Sequence, residues 1–390
     1  MTTASNALAN YKDTIGKSKF DNLFPELDYE IDKDIRQAYK GGFTYLNPIY
    51  KEIDTGEGVV LDVNSLYPSV MKNAYLPFGK PIYFEGKYEY SFIYPLYIQV
   101  ISCSFDLRPG KIPTIQLKNN LSFMPNEYSK SSNWNIVTLT LTSVDLELFL
   151  KHYRVHDLTY HYGFKFKSLK GIFSNYIDFW TNEKINAKKV GNKSKYLIAK
   201  LMMNSLYGKF GTSNYVRNKY PYFENDIVHY EMGELEERDP VYLPIASFIT
   251  SYARKKTIST SQAIQDYSIE KYGIDYYIYS DTDSIHMIKL PDEELKQFVD
   301  VDDYRLGAWK IESYANRGKF IRQKCYIEED EEGIHATVAG LPKQLGKYIN
   351  FDNFKEGFTI KADDLEKEHK LGYKKVKGGV LLVNTDFTIK

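Results

Sequence analysis

The chain has 390 residues, 43% of them hydrophobic, with 51 basic and 51 acidic side chains and a formal net charge of zero. That length suits two or three domains, or one domain with insertions, and the hydrophobic content is ample for their cores. The charge balance excludes a protein drawn to nucleic acid by bulk charge, no stretch approaches the ~18 apolar residues of a membrane span, and Cys103 and Cys325 offer neither a disulfide framework nor a zinc pattern.

The first twenty residues show no charged start followed by an apolar core, so a signal peptide is not expected, and the cysteine usage fits a reducing cytoplasm. Residues 56–63, GEGVVLDV, read as a glycine-bounded strand ending near Asp62, and the following VNSLYPSVM must leave that strand at a turn. Residues 79–150, through NIVTLTLTSVDLELF, read as β-rich with Pro/Gly turns. Residues 173–208 read as two helices with a turn at Gly191-Asn192, where the apolar pattern breaks. A polar, tyrosine-rich stretch runs to about 240, and residues 244–268 are again helical. YSDTDSIHM (279–287) places Asp281-Thr282-Asp283 between two strand-like runs, as a hairpin. Interleaved strands and helices with insertions imply an α+β fold.

Asp and Thr favour turns on their own account, so DTD alone is ambiguous. It is not an EF-hand, because DTDSIHMIKL lacks the glycine and the later glutamate. A second aspartate near a strand end, Asp62, changes the reading: oxygen ligands of this kind suit a hard cation such as Mg²⁺, which takes one or two carboxylates and completes its shell with substrate phosphates. The stretch 184–210 carries seven lysines and no carboxylate. Within it, Lys200, Asn204 and Tyr207 share one helix face, while Leu201, Met202 and Leu206 read as core and Gly208 as a stop. A lysine for a triphosphate with an aromatic ring farther along is a functional arrangement. His152, His156 and His161 lack companion ligands and read as solvent-exposed.

DVNSLYP, KLMMNSLYG and YSDTDS, in that order, resemble motifs A, B and C of family B DNA polymerases, and YKGG (39–42) and KCY (324–326) are similar to motifs of the protein-primed bacteriophage branch. The likeness runs from about residue 30 to the C-terminus. It implies a right-hand polymerase: an N-terminal segment and first part of the palm (1–78), an insertion facing the priming protein or DNA (79–172), fingers (173–211), a second insertion (212–243), the rest of the palm (244–341) and a small thumb (342–390). It implies that Asp62 and Asp283, with the Val63 carbonyl, hold two Mg²⁺ ions, with Mn²⁺ as a substitute, and that Asp281 tunes the site. Ser65, Leu66 and Tyr67 would line the nucleotide pocket, with Tyr67 excluding ribose. Lys200, helped by Lys188 or Lys193, would meet the triphosphate, and Asn204 and Tyr207 the nascent pair. Lys324 and Tyr326 would hold the primer, and Tyr39, Gly41 and Gly42 the template. The family's helix lysine four residues before Lys200 is here Tyr196.

The resemblance also implies deoxynucleotides, template-primer DNA and a priming (terminal) protein as partners, a monomer, and the cytoplasm of a bacterial host. Family members usually begin with a 3′–5′ exonuclease domain bearing an acidic D-x-E motif. Residues 28–30, 145–147 and 364–366 match the letters without a suitable N-terminal strand, so proofreading is expected to be absent, or to come from a separate exonuclease. The alternative function is a catalytically silent, polymerase-derived subunit that binds DNA or the priming protein; retention of both Asp62 and Asp283 argues against it.

Overall fold

The computed structural model describes residues 2–117, 127–225, 227–238, 241–341, 343–361, 373–376, 379–382 and 386–389. At its centre is an antiparallel five-stranded sheet in the order Thr44–Leu46, Tyr277–Asp281, Ser284–Ile288, Gly58–Val63, Trp309–Ala315. In Gly58–Val63 every residue is buried except Asp62, which accounts for the near-continuous apolar run in its sequence. A 30-residue helix, Leu243–Tyr272, packs across the sheet. Pro244 sits in its first turn and Gly273, with φ of 71°, closes it in the left-handed conformation that glycine adopts without strain.

A second sheet, in the order Gly333–Val338, Cys325–Asp330, Arg317–Arg322, Asp54–Thr55, lies beside the first and carries Tyr326, with Lys324 in the turn just before its strand. The β-rich insertion is a sheet ordered Tyr75–Glu85, Tyr153–Lys170, Leu96–Leu107, Val137–Thr142. Its reading needs one correction, because the strand stops at Thr142 and Ser143–His152 is a helix. Thr142 caps that helix, its Oγ1 accepting from the Asp145 N–H at 3.2 Å, and this local bond outweighs the β-branched run before it. His152 is also corrected: it is buried at the helix end, bonded to the Ile112 carbonyl at 2.7 Å, whereas His156 and His161 are exposed.

The two-helix reading matches Ser174–Lys189 and Lys193–Phe210, separated by Gly191 at φ of 69° and capped by Asn192, which accepts from Lys195 N–H at 3.0 Å. The second helix passes Gly208 and ends at Gly211, and Leu201 is exposed on it while Met202 and Leu206 are core. Its end is seated in an aromatic cluster of Tyr11, Phe20, Phe24, Phe173 and Phe210, which brings in the N-terminal helix Thr3–Ile15. Beyond it, Tyr215–Glu224 and Ile227–Glu237 form a two-stranded hairpin. Much of the last fifty residues, including Asp364 and Glu366, lies outside the described residues.

Candidate active site

Asp62 and Asp283 meet because of sheet register. Asp62 faces Ser284 across the ladder, and the Val63 N–H donates to the Asp283 carbonyl at 2.8 Å, so the two carboxylates flank one strand pair. The hairpin tip is a strained turn: Thr282 holds φ of 64°, its N–H donating to the Phe43 carbonyl at 2.6 Å, with its own carbonyl taken by Thr257 Oγ1 at 2.8 Å. Gly42 backs it closely. A Cβ there would lie 2.6 Å from Thr282 Oγ1, so the second glycine of YKGG is required by the hairpin, whereas a Cβ on Gly41 would meet open space. Ser65 and Lys324 are likewise left-handed, at φ of 51° and 56°, concentrating backbone strain around one cleft.

That cleft, of about 620 Å³, is lined by Asp62, Val63, Ser65, Leu66, Tyr67, Lys200, Asn204, Tyr207, Asp281, Asp283, Lys324 and Tyr326, all singled out by sequence. Tyr39, Gly41 and Gly42 stand beside it. The Arg254 guanidinium donates to the Lys40 and Gly41 carbonyls at 2.9 and 2.6 Å, and the Tyr39 ring abuts Gly211 at the end of the second helix. Lys188 and Lys193 stand apart from the cleft. Neither lines the cleft, because each lies farther along the helical hairpin; the Lys188 ammonium sits 5.4 Å over the Tyr304 ring, and Lys193 is exposed at the start of its helix. Lys184, one turn before Lys188, reaches in and donates to Ser65 Oγ at 3.2 Å. Lys184, Lys310, Glu312 and Tyr196, with the motif neighbours Asn64, Thr282 and Ser284, are the cleft residues that the sequence did not assign a role. Tyr196 was legible, being four residues before Lys200 on the same face.

The electrostatics divide the acids. Asp281 is fully engaged: Lys324 Nζ lies 2.8 and 2.9 Å from its two oxygens, with Thr44 and Tyr279 hydroxyls at 3.3 Å. Asp62 has Lys310 Nζ at 3.2 Å, yet burial keeps its carboxyl above the usual range against that lysine's pull. Burial, then the charge of Asp62, pushes Asp283 up to about 6; among the described residues its carboxylate takes a hydrogen bond only from its own N–H. On the opposite wall, burial and then Lys200, Lys310 and Lys188 hold the Lys184 ammonium below the usual lysine range. Tyr67 and Tyr207 stack with ring centroids 4.1 Å apart, closing the floor between the two charge groups.

Among the described residues no three or more His, Cys, Asp or Glu side chains converge as a self-sufficient metal site. Two adjacent carboxylates, Asp283 short of partners and Asp62 held by a single lysine, with a neighbouring backbone carbonyl and a facing lysine wall, fit instead a hard cation that takes the rest of its ligands from water and phosphate.

The fold and the cleft define an α+β polymerase. Residues 1–298 match the family described as DNA polymerase type B, organellar and viral, and the chain belongs to it. It is 43% identical over 411 residues to the DNA polymerase of Bacillus phage phi29, covering 100% of this chain and 68% of that one. The DNA polymerase of Streptococcus phage Cp-1 is 34% identical, with coverage of 100% and 67%. A solved structure of phi29 DNA polymerase with primer-template DNA and incoming nucleotide superposes with a TM-score of 0.86 at 41% identity, again over 100% of this chain and 68% of that one. The chain is accordingly a DNA-directed DNA polymerase, and the silent-subunit alternative has no support.

Proposed function

We propose that this cleft extends a DNA primer by joining its 3′-hydroxyl to the α-phosphate of a deoxynucleoside triphosphate, with release of pyrophosphate. The observation that carries the reading is the convergence of the Asp62–Asp283 pair with the Lys200–Asn204–Tyr207 helix face on one cleft. Asp62, Asp283 and the Val63 carbonyl are the residues to hold Mg²⁺, two ions in the full site, with Mn²⁺ as a substitute. A divalent cation bound there would offset charge on the phosphates and favour the ionised primer hydroxyl. The chain's own residues do the rest by positioning and electrostatics. Lys200 and Lys184 face the triphosphate, which would relieve the crowding of their ammonium groups. Ser65 and Leu66 shape the turn beneath the nucleotide. Tyr67, fixed by its stack on Tyr207, blocks a 2′-hydroxyl.

Asp281 serves by orienting Lys324, which with Tyr326 would hold the primer terminus, while Tyr39 and the Gly41-Gly42 backbone guide the template. In this reading the central sheet is the palm, the helical hairpin the fingers and the segment after 342 the thumb. The insertion at 79–172 faces a priming protein, and the hairpin at 212–243 helps enclose DNA. The relatives' phage sources favour a bacterial cytoplasm as the place of action, while protein priming and a monomeric enzyme enter this reading through the resemblance of YKGG and KCY to the protein-primed branch. Among the described residues no helix is long and apolar enough to cross a membrane. We assign no editing site: Asp28 precedes a helix that contains Glu30, and Asp145 and Glu147 are taken up by Arg254 and Lys255.

Primer extension with Mg²⁺ and dNTPs tests the reading. Asp62→Ala or Asp283→Ala should cut the rate roughly a thousandfold or more while template binding stays within a few fold. Near wild-type extension by either variant would remove the assignment. In the same assay without dNTPs, a mismatched 3′ end should stay intact; shortening that survives Asp62→Ala would reveal an editing site.

A further inference from the structure

Lys310 belongs to none of the polymerase motifs, yet it stands directly opposite Asp62, where Trp309–Ala315 pairs with Gly58–Val63. Its Nζ is 3.2 Å from Asp62 Oδ1 and 3.8 Å from Glu312 Oε1, two residues along its own strand at a β-bulge between Ile311 and Ser313. One four-carbon arm therefore has two carboxylates within reach. The Lys310 and Asp62 side chains are partly open to water, so their pair is not locked by burial.

We propose that Lys310 is a built-in counter-ion, holding Asp62 while the cleft lacks a divalent cation and passing to Glu312 when one arrives, so that Lys310 sets how much divalent cation the enzyme requires. This rests on the reading of Asp62 and Asp283 as cation ligands. Without a cation, two neighbouring carboxylates repel, and the ammonium relieves one of them. A metal ion and an ammonium at the same oxygen repel strongly at a few ångströms, so binding the first requires displacing the second. Lysine suits that exchange, since its charge is compact and its stem flexible. Arginine, with a planar fork matched to a carboxylate, would stay in place. Lys310 is thus a positioning residue: it acts through Asp62 and Glu312.

The test uses the whole chain without DNA or nucleotide and reads Mn²⁺ binding by electron paramagnetic resonance, together with the thermal midpoint in EDTA. Lys310→Gln should bind Mn²⁺ about tenfold more tightly than wild type, because a competing charge is gone. It should also melt lower in EDTA, with the gap closing as Mn²⁺ is added. Lys310→Met provides a second neutral variant with the same expectation. Lys310→Arg should keep the EDTA midpoint and bind Mn²⁺ more weakly than wild type. Equal or weaker Mn²⁺ binding by both neutral variants would overturn the proposal. Asp62→Asn separates the two levels: if it binds Mn²⁺ as wild type does, the ligand assignment itself fails, whereas a loss there with no change at Lys310 sinks only the counter-ion.

Discussion

Asp145 and Asp283 are both drawn away from bulk water, and the molecule treats them in opposite ways. Asp145 meets Arg254 through Nη2 at 2.6 Å and Nε at 3.1 Å, and also accepts from the Ser251 and Thr142 hydroxyls at 2.7 and 3.0 Å. Arg254 then spends its remaining reach on the backbone of Lys40 and Gly41. Asp283 has its own N–H and the repulsion of Asp62. A carboxylate with every lone pair engaged fixes structure and has nothing left to offer a ligand. One left short of partners destabilises its surroundings, and is thereby available to a cation.

Breaking the closed arrangement should cost the most stability. Asp145→Ala leaves the Arg254 guanidinium buried without its counter-charge, a loss of about 3–5 kcal/mol. Urea denaturation would register this directly. Because Arg254 also holds the Lys40–Gly41 backbone, template affinity should weaken with it. A loss below about 1 kcal/mol would mean that the pair's desolvation cancels its attraction.

The open arrangement can be sharpened through its floor. Tyr67 is held by its stack on Tyr207, so Tyr67→Val removes bulk without removing charge. The ratio of kcat/KM for ribonucleotide over deoxynucleotide should rise about 10- to 100-fold, the range that steric contacts of this size provide. An unchanged ratio in single-nucleotide extension would place the sugar gate elsewhere.

Why one arrangement was legible in the sequence and the other was not follows from distance along the chain. Asp62, Asp281, Asp283, Lys200, Asn204 and Tyr207 announce themselves locally, through strand ends, a hairpin and a helix face. The two long helices were legible for the same reason, since their break at Gly191-Asn192 is marked by the chain itself. Asp145 read as a chance D-x-E match because its partner lies 109 residues away. Lys310 was invisible for a related reason: WKIE shows alternation, but which strand it faces is fixed only when Trp309–Ala315 docks beside Gly58–Val63. Lys184 lay in a run of lysines that local pattern cannot rank. Only the seating of the helical hairpin on the sheet decides that Lys184 reaches the cleft and Lys188 and Lys193 do not.

The smallest effect is the most specific, since it reads the cost of leaving Asp283 open. Its folded-state pKa, about 6, lies above the ordinary aspartate value of 3.8. Between those values the folded chain binds the proton that the unfolded chain has released, so stability falls as pH rises through that window and the penalty is complete above about 6. Asp283→Asn removes the titrating group while keeping nearly the same shape. In EDTA at pH 7.5 the variant should therefore be more stable than wild type, by about 1–2 kcal/mol once screening by the open cleft is counted. The two should converge as pH falls toward 4. Added Mg²⁺ should raise the thermal midpoint of wild type and leave the variant nearly unmoved, reversing the order. The Mg²⁺ concentration needed for half-maximal extension should rise as pH drops below about 6, where a proton competes with the cation for this carboxylate. A variant less stable than wild type at pH 7.5 in EDTA would show that Asp283 is held by favourable contacts after all, and that the contrast with Asp145 is one of degree.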